Sequence, residues 1–467
     1  MQAYRDNPFG DPRSNPSYDN GPTGHQYDGH DASQGYPGIP LSGQGDYRNV
    51  ATMSQPDLGS NVDRPTSTSQ WDSSRYNQGS TWVNEQEKQT RRSKIVVIAG
   101  VVVLVIIIAV SVSVGVTVGR RNSSHNNNSN SPSSSGVSNP DAVNQTDPND
   151  PSTFVKDPNL HQAFYGIAYT PVGSQLPDCG NSLAAVIQDI QLLSQITKRV
   201  RLYGADCNQS ALVLEAIKQT KVDMTVYLGN YPIPTDGGAA YARQKDILKQ
   251  AIETYGAGPI GGVTVGNEFM LNWLNDNGGG EANSPVGAQG AQLLISNISD
   301  TKTMLNGMSL SKSIPVGNAD AGAFFNNDVL AAVEYGMANV HPWFANQTID
   351  AAASWTMQFF QENNVAIANA LANKPIMSIA ETGWPTKSSD AGNANNGASV
   401  ASIPNLQKFI DTFVCQANSA GVEYYFFEFA DEDWKDKQFG GVEGWWGLFN
   451  QNRTLKSGIT IPTCQAP

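Results

Sequence analysis

The chain has 467 residues, 39% of them hydrophobic, and a formal net charge of −13, which is enough material for one large domain with further segments outside it. The whole of this charge is carried by residues 122–467. So acidic a region is badly suited to bind nucleic acid, heparin-like polymers or anionic membranes. A neutral polymer remains compatible with it, although plain solubility explains the charge equally well.

Residues 1–94 are crowded with Gly, Pro, Ser, Asn, Gln and Asp, and their aliphatic residues occur only singly. Such a segment buries too little apolar surface to offset the entropy lost on ordering. The composition therefore predicts a disordered tail. Its scattered tyrosines are candidate interaction or modification sites, but a simple solvated tail is the interpretation that composition favours.

Residues 95–119 form an uncharged run of Val, Ile, Ala and Gly with a few hydroxyl residues. A helix of this length extends about 37 Å, more than the roughly 30 Å of a bilayer's hydrocarbon core. The run begins too far into the chain for a cleaved signal peptide, so it predicts an uncleaved transmembrane signal-anchor. The alternative is a buried helix of a soluble domain, which the length and apolarity of the run disfavour.

Two asymmetries predict the orientation of this span. Basic residues are more frequent before it than after it, which places the N-terminus in the cytosol. All the N-glycosylation acceptors follow it: Asn122, Asn127, Asn144, Asn208, Asn297, Asn346 and Asn452. The four cysteines also follow it, as expected for disulfides, and three pairings are open to them: Cys179, Cys207, Cys415 and Cys464. The sequence predicts a single-pass type II protein of the cell membrane with its C-terminal part extracellular.

The remainder divides at about residue 158. Residues 120–158 are rich in Ser, Asn, Asp and Pro and predict a flexible, glycosylated stalk. Residues 159–467 contain strand-like runs separated by helical periods, and the clearest helices are Leu183–Ile196, Ala239–Tyr255 and Leu406–Ala417. The strand-like runs are Phe164–Thr170, Arg199–Tyr203, Asp223–Asn230, Ile260–Glu268, Ile314–Ala319, Ala338–Phe344, Ile376–Glu381 and Val422–Phe429.

This alternation predicts an α/β fold with a parallel sheet and a helical coat. Eight repeats favour closure into a (β/α)8 TIM barrel over an open doubly wound sheet. The sequence has no glycine-rich dinucleotide motif after the first strand and no Walker motif, so no nucleotide is expected to bind.

Two of the predicted strands end on a glutamate, Glu268 and Glu381. A barrel gathers the C-terminal ends of its strands on one face, so the two carboxylates are expected to converge. Two carboxylates flanking one bond are the equipment for glycoside hydrolysis. A lone glutamate at a strand end is more often a surface or ion-paired residue. The pairing and the adjacent glycines favour catalysis here.

The sequence offers little support for a metal site or for a serine or cysteine nucleophile. Only His161 and His341 fall in the folded region, and neither stands at metal-ligand spacing. A Gly-x-Ser-x-Gly motif is missing from the sequence, and the cysteines are expected to be paired. We therefore expect no metal and no cofactor. His341 is a candidate for substrate contact or, equally, for a structural hydrogen bond.

Each carboxylate is expected to have its own role. Glu268 is the candidate general acid, which needs a raised pKa, and Glu381 is the candidate nucleophile, which must stay ionised. Asn267, beside the acid, is placed to donate a hydrogen bond to a sugar hydroxyl.

The segments Val265–Glu268 and Glu381–Thr386 resemble the two signature motifs of glycoside hydrolase family 17, the β-1,3-glucanases and glucanosyltransferases of plants and fungi. Further similar segments follow in the family's order: Tyr165–Tyr169, Arg201–Tyr203, Phe427–Lys435 and Trp446–Phe449. The likeness covers most of residues 160–464, and His341-Pro342-Trp343 departs from it. The tail, anchor and stalk are similar to those of the membrane-anchored fungal branch.

The resemblance implies a (β/α)8 barrel, retention of anomeric configuration, Glu268 as proton donor and Glu381 as nucleophile. It also suggests that Glu428, Glu432 and Lys435 form a supporting charged cluster at the substrate-binding site, in which Lys435 keeps a nearby carboxylate ionised and Glu428 binds a sugar hydroxyl. A structural ion pair at the barrel rim is the competing interpretation. Aromatic residues near strand ends are candidate platforms for sugar rings: Tyr203, Tyr227, Trp384 and Trp434.

The leading functional hypothesis is an endo-acting β-1,3-glucan hydrolase that acts on neutral cell-wall β-glucan at the cell surface. A β-1,3-glucanosyltransferase is the close alternative, because it shares the first half-reaction. A non-catalytic glucan-binding or sensor protein is the alternative from another class. The presence of both glutamates disfavours it.

Overall fold

The computed structural model describes residues 143–467, which form a closed barrel of eight parallel strands. The strands follow one another around the barrel in chain order, and the last pairs with the first. They are β1 (Gly166–Ala168), β2 (Arg199–Arg201), β3 (Thr225–Asn230), β4 (Ile260–Asn267), β5 (Val316–Ala321), β6 (Tyr335–Asn339), β7 (Ile376–Thr382) and β10 (Tyr424–Phe426). The predicted barrel is confirmed. The predicted tail, the membrane span and the stalk up to residue 142 lie outside the described residues.

Two short strands form an antiparallel hairpin in the loop after β7: β8 (Asn395–Asn396) and β9 (Ser399–Val400). Side chains tie this hairpin to the loop after β6. Asn396 Nδ2 donates to the carbonyl oxygen of Trp343 at 3.0 Å, and Ser399 Oγ donates to that of Gln347 at 2.7 Å. The hairpin therefore sits at the C-terminal end of the barrel.

Along the described chain, helices follow the barrel strands, and the last helix comes after β10. They are α1 (Leu183–Ile196), α2 (Gln209–Thr220), α3 (Ala239–Tyr255), α4 (Phe269–Asp276), α5 (Pro285–Asn306), α6 (Asn327–Ala331), α7 (Ile349–Phe360), α8 (Ala366–Ala370), α9 (Ile403–Ser419) and α10 (Asp433–Phe439). The first and second predicted helices coincide with α1 and α3, and the third lies within α9. α1 begins where Ser182 caps it by accepting a hydrogen bond from the Ala185 amide.

The sixth strand is the one whose position differs most from the prediction. It spans Tyr335–Asn339, whereas the predicted run was Ala338–Phe344. Pro342 has no amide hydrogen to give to a strand ladder, so the bulky residues around it lie in a loop. The strand begins with Tyr335 and Gly336, and the glycine weakens the sequence pattern that indicates a strand. His341 consequently lies in the loop beyond the strand end.

Aromatic rings fill the inside of the barrel towards the strand N-termini. Tyr335, the first residue of β6, packs edge-on against Tyr227 with ring centroids 5.5 Å apart. Tyr227 also meets Tyr425 at 5.7 Å. A Cβ atom on Gly317 would lie 2.1 Å from the Tyr335 ring, so glycine is needed there. The barrel is a packed core at this end, which leaves the strand C-termini for a site.

Residues 143–158 belong to the folded part, although the predicted stalk extended to residue 158. The Gln191 side chain of α1 donates to the carbonyl oxygen of Pro151 at 2.8 Å. The amide of Asp157 donates to the Gln195 side chain at 2.7 Å. Buried glutamines, and not apolar side chains, hold this segment against α1, so no hydrophobic pattern in the sequence marked it as folded.

Two disulfides select one of the three open pairings. Cys179 pairs with Cys207, and Cys415 pairs with Cys464. Five of the predicted glycosylation acceptors fall in the described part: Asn144, Asn208, Asn346 and Asn452 are exposed and Asn297 is half-buried. Among residues 143–467, no helix combines the length and the apolar character needed to cross a bilayer.

Candidate active site

Glu268 lies at a sharp junction between β4 and α4. The register of β4 against β5 shifts between Thr264 and Asn267, and Gly266 within that shift has a φ of 98°. Glu268 itself has a φ of 54°, in the left-handed region that few residues with a side chain adopt. Its side chain is buried, and Oε1 accepts a hydrogen bond from Asn339 Nδ2 at 2.9 Å. This irregular backbone directs the carboxylate to the end of the barrel.

Glu381 lies near the C-terminal end of β7 and is 4% exposed. Arg201 Nη1 donates to its Oε1 at 2.9 Å. His341 Nε2 lies 3.1 Å from its Oε2. An ionised carboxylate can only accept, so the hydrogen of that imidazole sits on Nε2. Both oxygens of Glu381 are therefore held.

Arg201 connects the two glutamate-bearing strands. Its Nη2 donates to the Asn267 Oδ1 at 2.6 Å, while Nη1 holds Glu381. Its guanidinium lies 4.3 Å from the centre of the Tyr203 ring. Asn339 Nδ2 reaches both Asn267, at 3.4 Å, and Glu268. An unbroken chain of contacts thus runs from one predicted catalytic glutamate to the other.

The two carboxylates face different electrostatic surroundings. Burial acts to raise the pKa of Glu381, but the hydrogen bond from His341 and the charge of Arg201 outweigh it and lower the pKa to about 2. Glu268 accepts its hydrogen bond from the neutral amide of Asn339. Two carboxylates in one site with unlike partners are the arrangement that separates a nucleophile from a general acid.

The predicted charged cluster exists and is buried. Lys435 Nζ lies 2.7 Å from an oxygen of Glu428 and 3.0 Å from one of Glu432. Burial, followed by the charge of Glu432, raises the pKa of Glu428, while Lys435 opposes the shift. Lys435 also lies 4.5 Å from the ring of Phe427, which packs edge-on against His341. The three charged side chains therefore form a buried ion-pair cluster, and the Phe427 ring contacts both this cluster and His341.

Two of the predicted sugar platforms are placed differently from expectation. Trp384 is fully buried, packs near Phe409 and donates its Nε1 hydrogen to the carbonyl oxygen of Val400 at 2.8 Å. Tyr227 lies in mid-strand among the barrel's interior rings, and Tyr203 is buried against Arg201. Aromatic residues are large apolar groups that core packing recruits first, and sequence does not show which way they face. Trp384 and Tyr227 therefore belong to the core.

Some residues beside the glutamates were not predicted as site residues. Phe344 is half-buried beside His341, with ring centroids 5.8 Å apart. Asn339 was hidden because the sixth strand was placed too late. Arg201 gave the clearest available signal, a charge at the end of a short strand, but a strand-end charge is usually solvated. Within the described part of the chain, no three metal-ligating side chains come together.

Comparison with known proteins identifies the family of the barrel. The model of the BtgE/BtgC glycoside hydrolase domain matches residues 166–447. The chain belongs to this glycoside hydrolase family.

The family's named members include the probable glucan endo-1,3-beta-glucosidase btgC of Aspergillus terreus. It is 34% identical over 71% of this chain and 51% of its own length. The glucan endo-1,3-beta-glucosidase btgC of Emericella nidulans is 32% identical over 65% of this chain and 47% of its own. The chain thus spans about half the length of these relatives.

A solved structure shares the barrel. The glycoside hydrolase family 17 beta-1,3-glucanosyltransferase of Rhizomucor miehei is 27% identical, with a TM-score of 0.52 over 65% of this chain and 98% of that one. An active-site mutant of that enzyme, 26% identical with the same TM-score and coverage, was solved in complex with laminaritriose. The similarity to it covers the barrel that holds Glu268 and Glu381.

Replacing Arg201 by Met is expected to raise the pKa of Glu381, because a charge that favours the ionised carboxylate is lost. In the wild type, the folded pKa of about 2 lies below the ordinary value of 4.5. Ionised Glu381 therefore stabilises the fold above the ordinary value, and this contribution is lost as the pH falls towards about 2. The difference in Tm between wild type and Arg201→Met should be widest near neutral pH and narrow under acidic conditions.

Scanning calorimetry across pH measures that difference. The matched control is Arg201→Lys, which keeps the positive charge and should show a much weaker dependence on pH. A Tm difference for Arg201→Met that is the same at all pH values would contradict the assigned electrostatic role.

Proposed function

We propose that this chain is a retaining glycosidase that cleaves internal β-1,3 linkages of glucan. The observation that carries the proposal is the hold of Arg201 and His341 on Glu381, in one network with Glu268. The family membership supports glycoside chemistry. The names of the relatives, glucan endo-1,3-beta-glucosidases, support the linkage and the polymer.

The proposed reaction has two displacements at one carbon. Glu381 attacks the anomeric carbon while Glu268 gives its proton to the glycosidic oxygen, so the old C–O bond breaks and a glycosyl ester forms on Glu381. Glu268, now ionised, takes a proton from water, whose oxygen attacks the same carbon and releases Glu381. Two inversions give net retention of configuration.

Asn267 is suited to bind the sugar at the reacting centre. Its Oδ1 accepts from Arg201 at 2.6 Å, which fixes the orientation of the side-chain amide. The Nδ2 group, a donor, then points away from the guanidinium. A hydroxyl of the bound sugar is the partner that we propose for it. Such a bond strengthens as positive charge develops on the ring.

A neutral β-glucan is the substrate class that we propose. The guanidinium of Arg201 balances the charge of ionised Glu381 within the site, so the substrate does not have to carry a charge. Acidic residues outnumber basic residues within residues 122–467, which disfavours the binding of anionic polymers. The similar Rhizomucor miehei enzyme was solved with laminaritriose.

Transfer to a sugar hydroxyl instead of water is the second candidate. The Rhizomucor miehei structures that cover the barrel are of a beta-1,3-glucanosyltransferase. Both outcomes pass through the same ester on Glu381, so they differ only in the acceptor. A non-catalytic binding protein is disfavoured, because binding alone gives no reason to hold a buried carboxylate ionised.

We further propose that residues 95–119 anchor the protein in the cell membrane and that the barrel is extracellular. The acceptor sites, all C-terminal to this run, and the two disulfides of the barrel support the orientation. Full-length protein from a glycosylating host should migrate faster on a gel after enzymatic deglycosylation. An unchanged mobility would count against an extracellular barrel.

The reaction is tested with the full-length protein and laminarihexaose, with products followed by mass spectrometry and by NMR of the anomeric protons. Wild type should release shorter oligomers whose new reducing ends are first β. Glu268→Gln should lower kcat by about 10²–10⁴-fold, because general acid catalysis is lost. The control Glu334→Gln changes a half-exposed ion pair with Lys302 and should leave kcat unchanged.

The outcomes separate the candidates. Products longer than the substrate as the main species would replace hydrolysis by transfer. Turnover at the wild-type rate in Glu381→Gln would refute the covalent mechanism, whereas wild-type protein that binds laminarihexaose without any turnover would revive the binding protein.

A further inference from the structure

Asp320 is a fully buried carboxylate near the C-terminal end of β5. It makes its hydrogen bonds to backbone amides. Its Oδ2 accepts from the Met270 amide at 2.9 Å, and its Oδ1 accepts from the amides of Leu271, at 3.3 Å, and Ala321, at 3.0 Å. Asp320 therefore caps α4 from a neighbouring strand, at the second and third residues of that helix.

Helix α4 begins directly after Glu268, which occupies its N-cap position. An N-cap side chain usually accepts a hydrogen bond from these same first-turn amides. Glu268 gives no such cap, and its Oε1 instead accepts from Asn339. Asp320 supplies the acceptors that the first turn of α4 needs. The carboxylate of Glu268 therefore does not cap the helix and lies against Asn339 in the site.

Neighbouring positions of β5 fix the rest of this junction. Asn318 Nδ2 donates to the carbonyl oxygen of Val265 at 2.9 Å. The amide of Glu268 donates to the carbonyl oxygen of Ala319 at 3.2 Å. The left-handed conformation of Glu268 costs energy and persists only where its surroundings enforce it. Three consecutive residues of β5, Asn318, Ala319 and Asp320, hold Glu268 in this conformation.

We propose that Asp320 is a positioning residue for the general acid, acting through the backbone of α4. The inference rests on the proposed function, in which Glu268 protonates the leaving oxygen. Without the cap, the first turn of α4 can relax and Glu268 moves away from that oxygen. Glu381 is unaffected, because its partners lie on β2 and in the loop after β6.

The test uses two substrates that differ in their need for an acid. Laminarihexaose has a sugar alkoxide as leaving group, which must be protonated. A 2,4-dinitrophenyl β-laminaribioside releases a stable phenolate and needs no proton. In full-length Asp320→Asn, kcat/KM on laminarihexaose should fall by about 10²-fold, the loss associated with a misplacement of about 1 Å. On the aryl glycoside, kcat/KM should stay close to wild type.

The matched control is Asn326→Ala, which removes the cap of α6, where Asn326 accepts from the amides of Asp328 and Val329. It should lower the Tm while leaving the ratio of the two rates unchanged. Circular dichroism checks that each variant is folded. If Asp320→Asn does not fold, Asp320→Glu carries the same test, since its longer side chain keeps the carboxyl group but displaces it.

Equal losses on both substrates in a folded variant would show a general structural role and overturn the proposal, as would wild-type rates on both. Wild-type protein that cleaves neither substrate would overturn the proposed function and this inference with it. Wild-type activity with equal losses in the variant would overturn the inference alone.

Discussion

The buried guanidinium of Arg201 is the interaction on which the rest of the site depends. A cation inside a barrel is costly unless its charge and its hydrogen-bond donors are satisfied. Here the charge is met by Glu381 and by the face of Tyr203, and the two terminal nitrogens donate to Glu381 and to the amide oxygen of Asn267. The same contacts ionise one carboxylate, orient one amide and join strands that are not neighbours in the barrel. Stability of the barrel centre and readiness for catalysis are therefore consequences of one set of contacts.

The two glutamates are held by different means, which suits their different tasks. Glu381 lies within β7, where the register shifts against both neighbouring strands, and charged or polar side chains hold both of its oxygens. Glu268 lies at an irregular junction whose shape is set through backbone hydrogen bonds from β5. An ionised nucleophile benefits from nearby donors and positive charge. A general acid has to keep a transferable proton, and fixing its backbone positions it for that transfer.

Periodicity and strand-end chemistry were sufficient to predict the barrel and the two glutamates. α1 and α3 have apolar residues at helical spacing, so both were predicted correctly. Glu268 and Glu381 stand out because each ends an apolar run. The contacts around them were harder to predict, since Arg201 reaches Glu381 across 180 residues of sequence. Trp384 and Tyr227 were misplaced because a strand-end aromatic looks the same in sequence whether it faces a cleft or the core.

In the proposed mechanism, Glu381 forms a covalent bond to the sugar in a network organised by Arg201. A 2-deoxy-2-fluoro laminaribiosyl fluoride slows the second displacement more than the first, so it traps the glycosyl ester on the full-length protein. Mass spectrometry of proteolytic peptides should find the added glycosyl mass on Glu381. An adduct on another residue, or continued turnover of laminarihexaose by protein that never forms an adduct, would contradict the account.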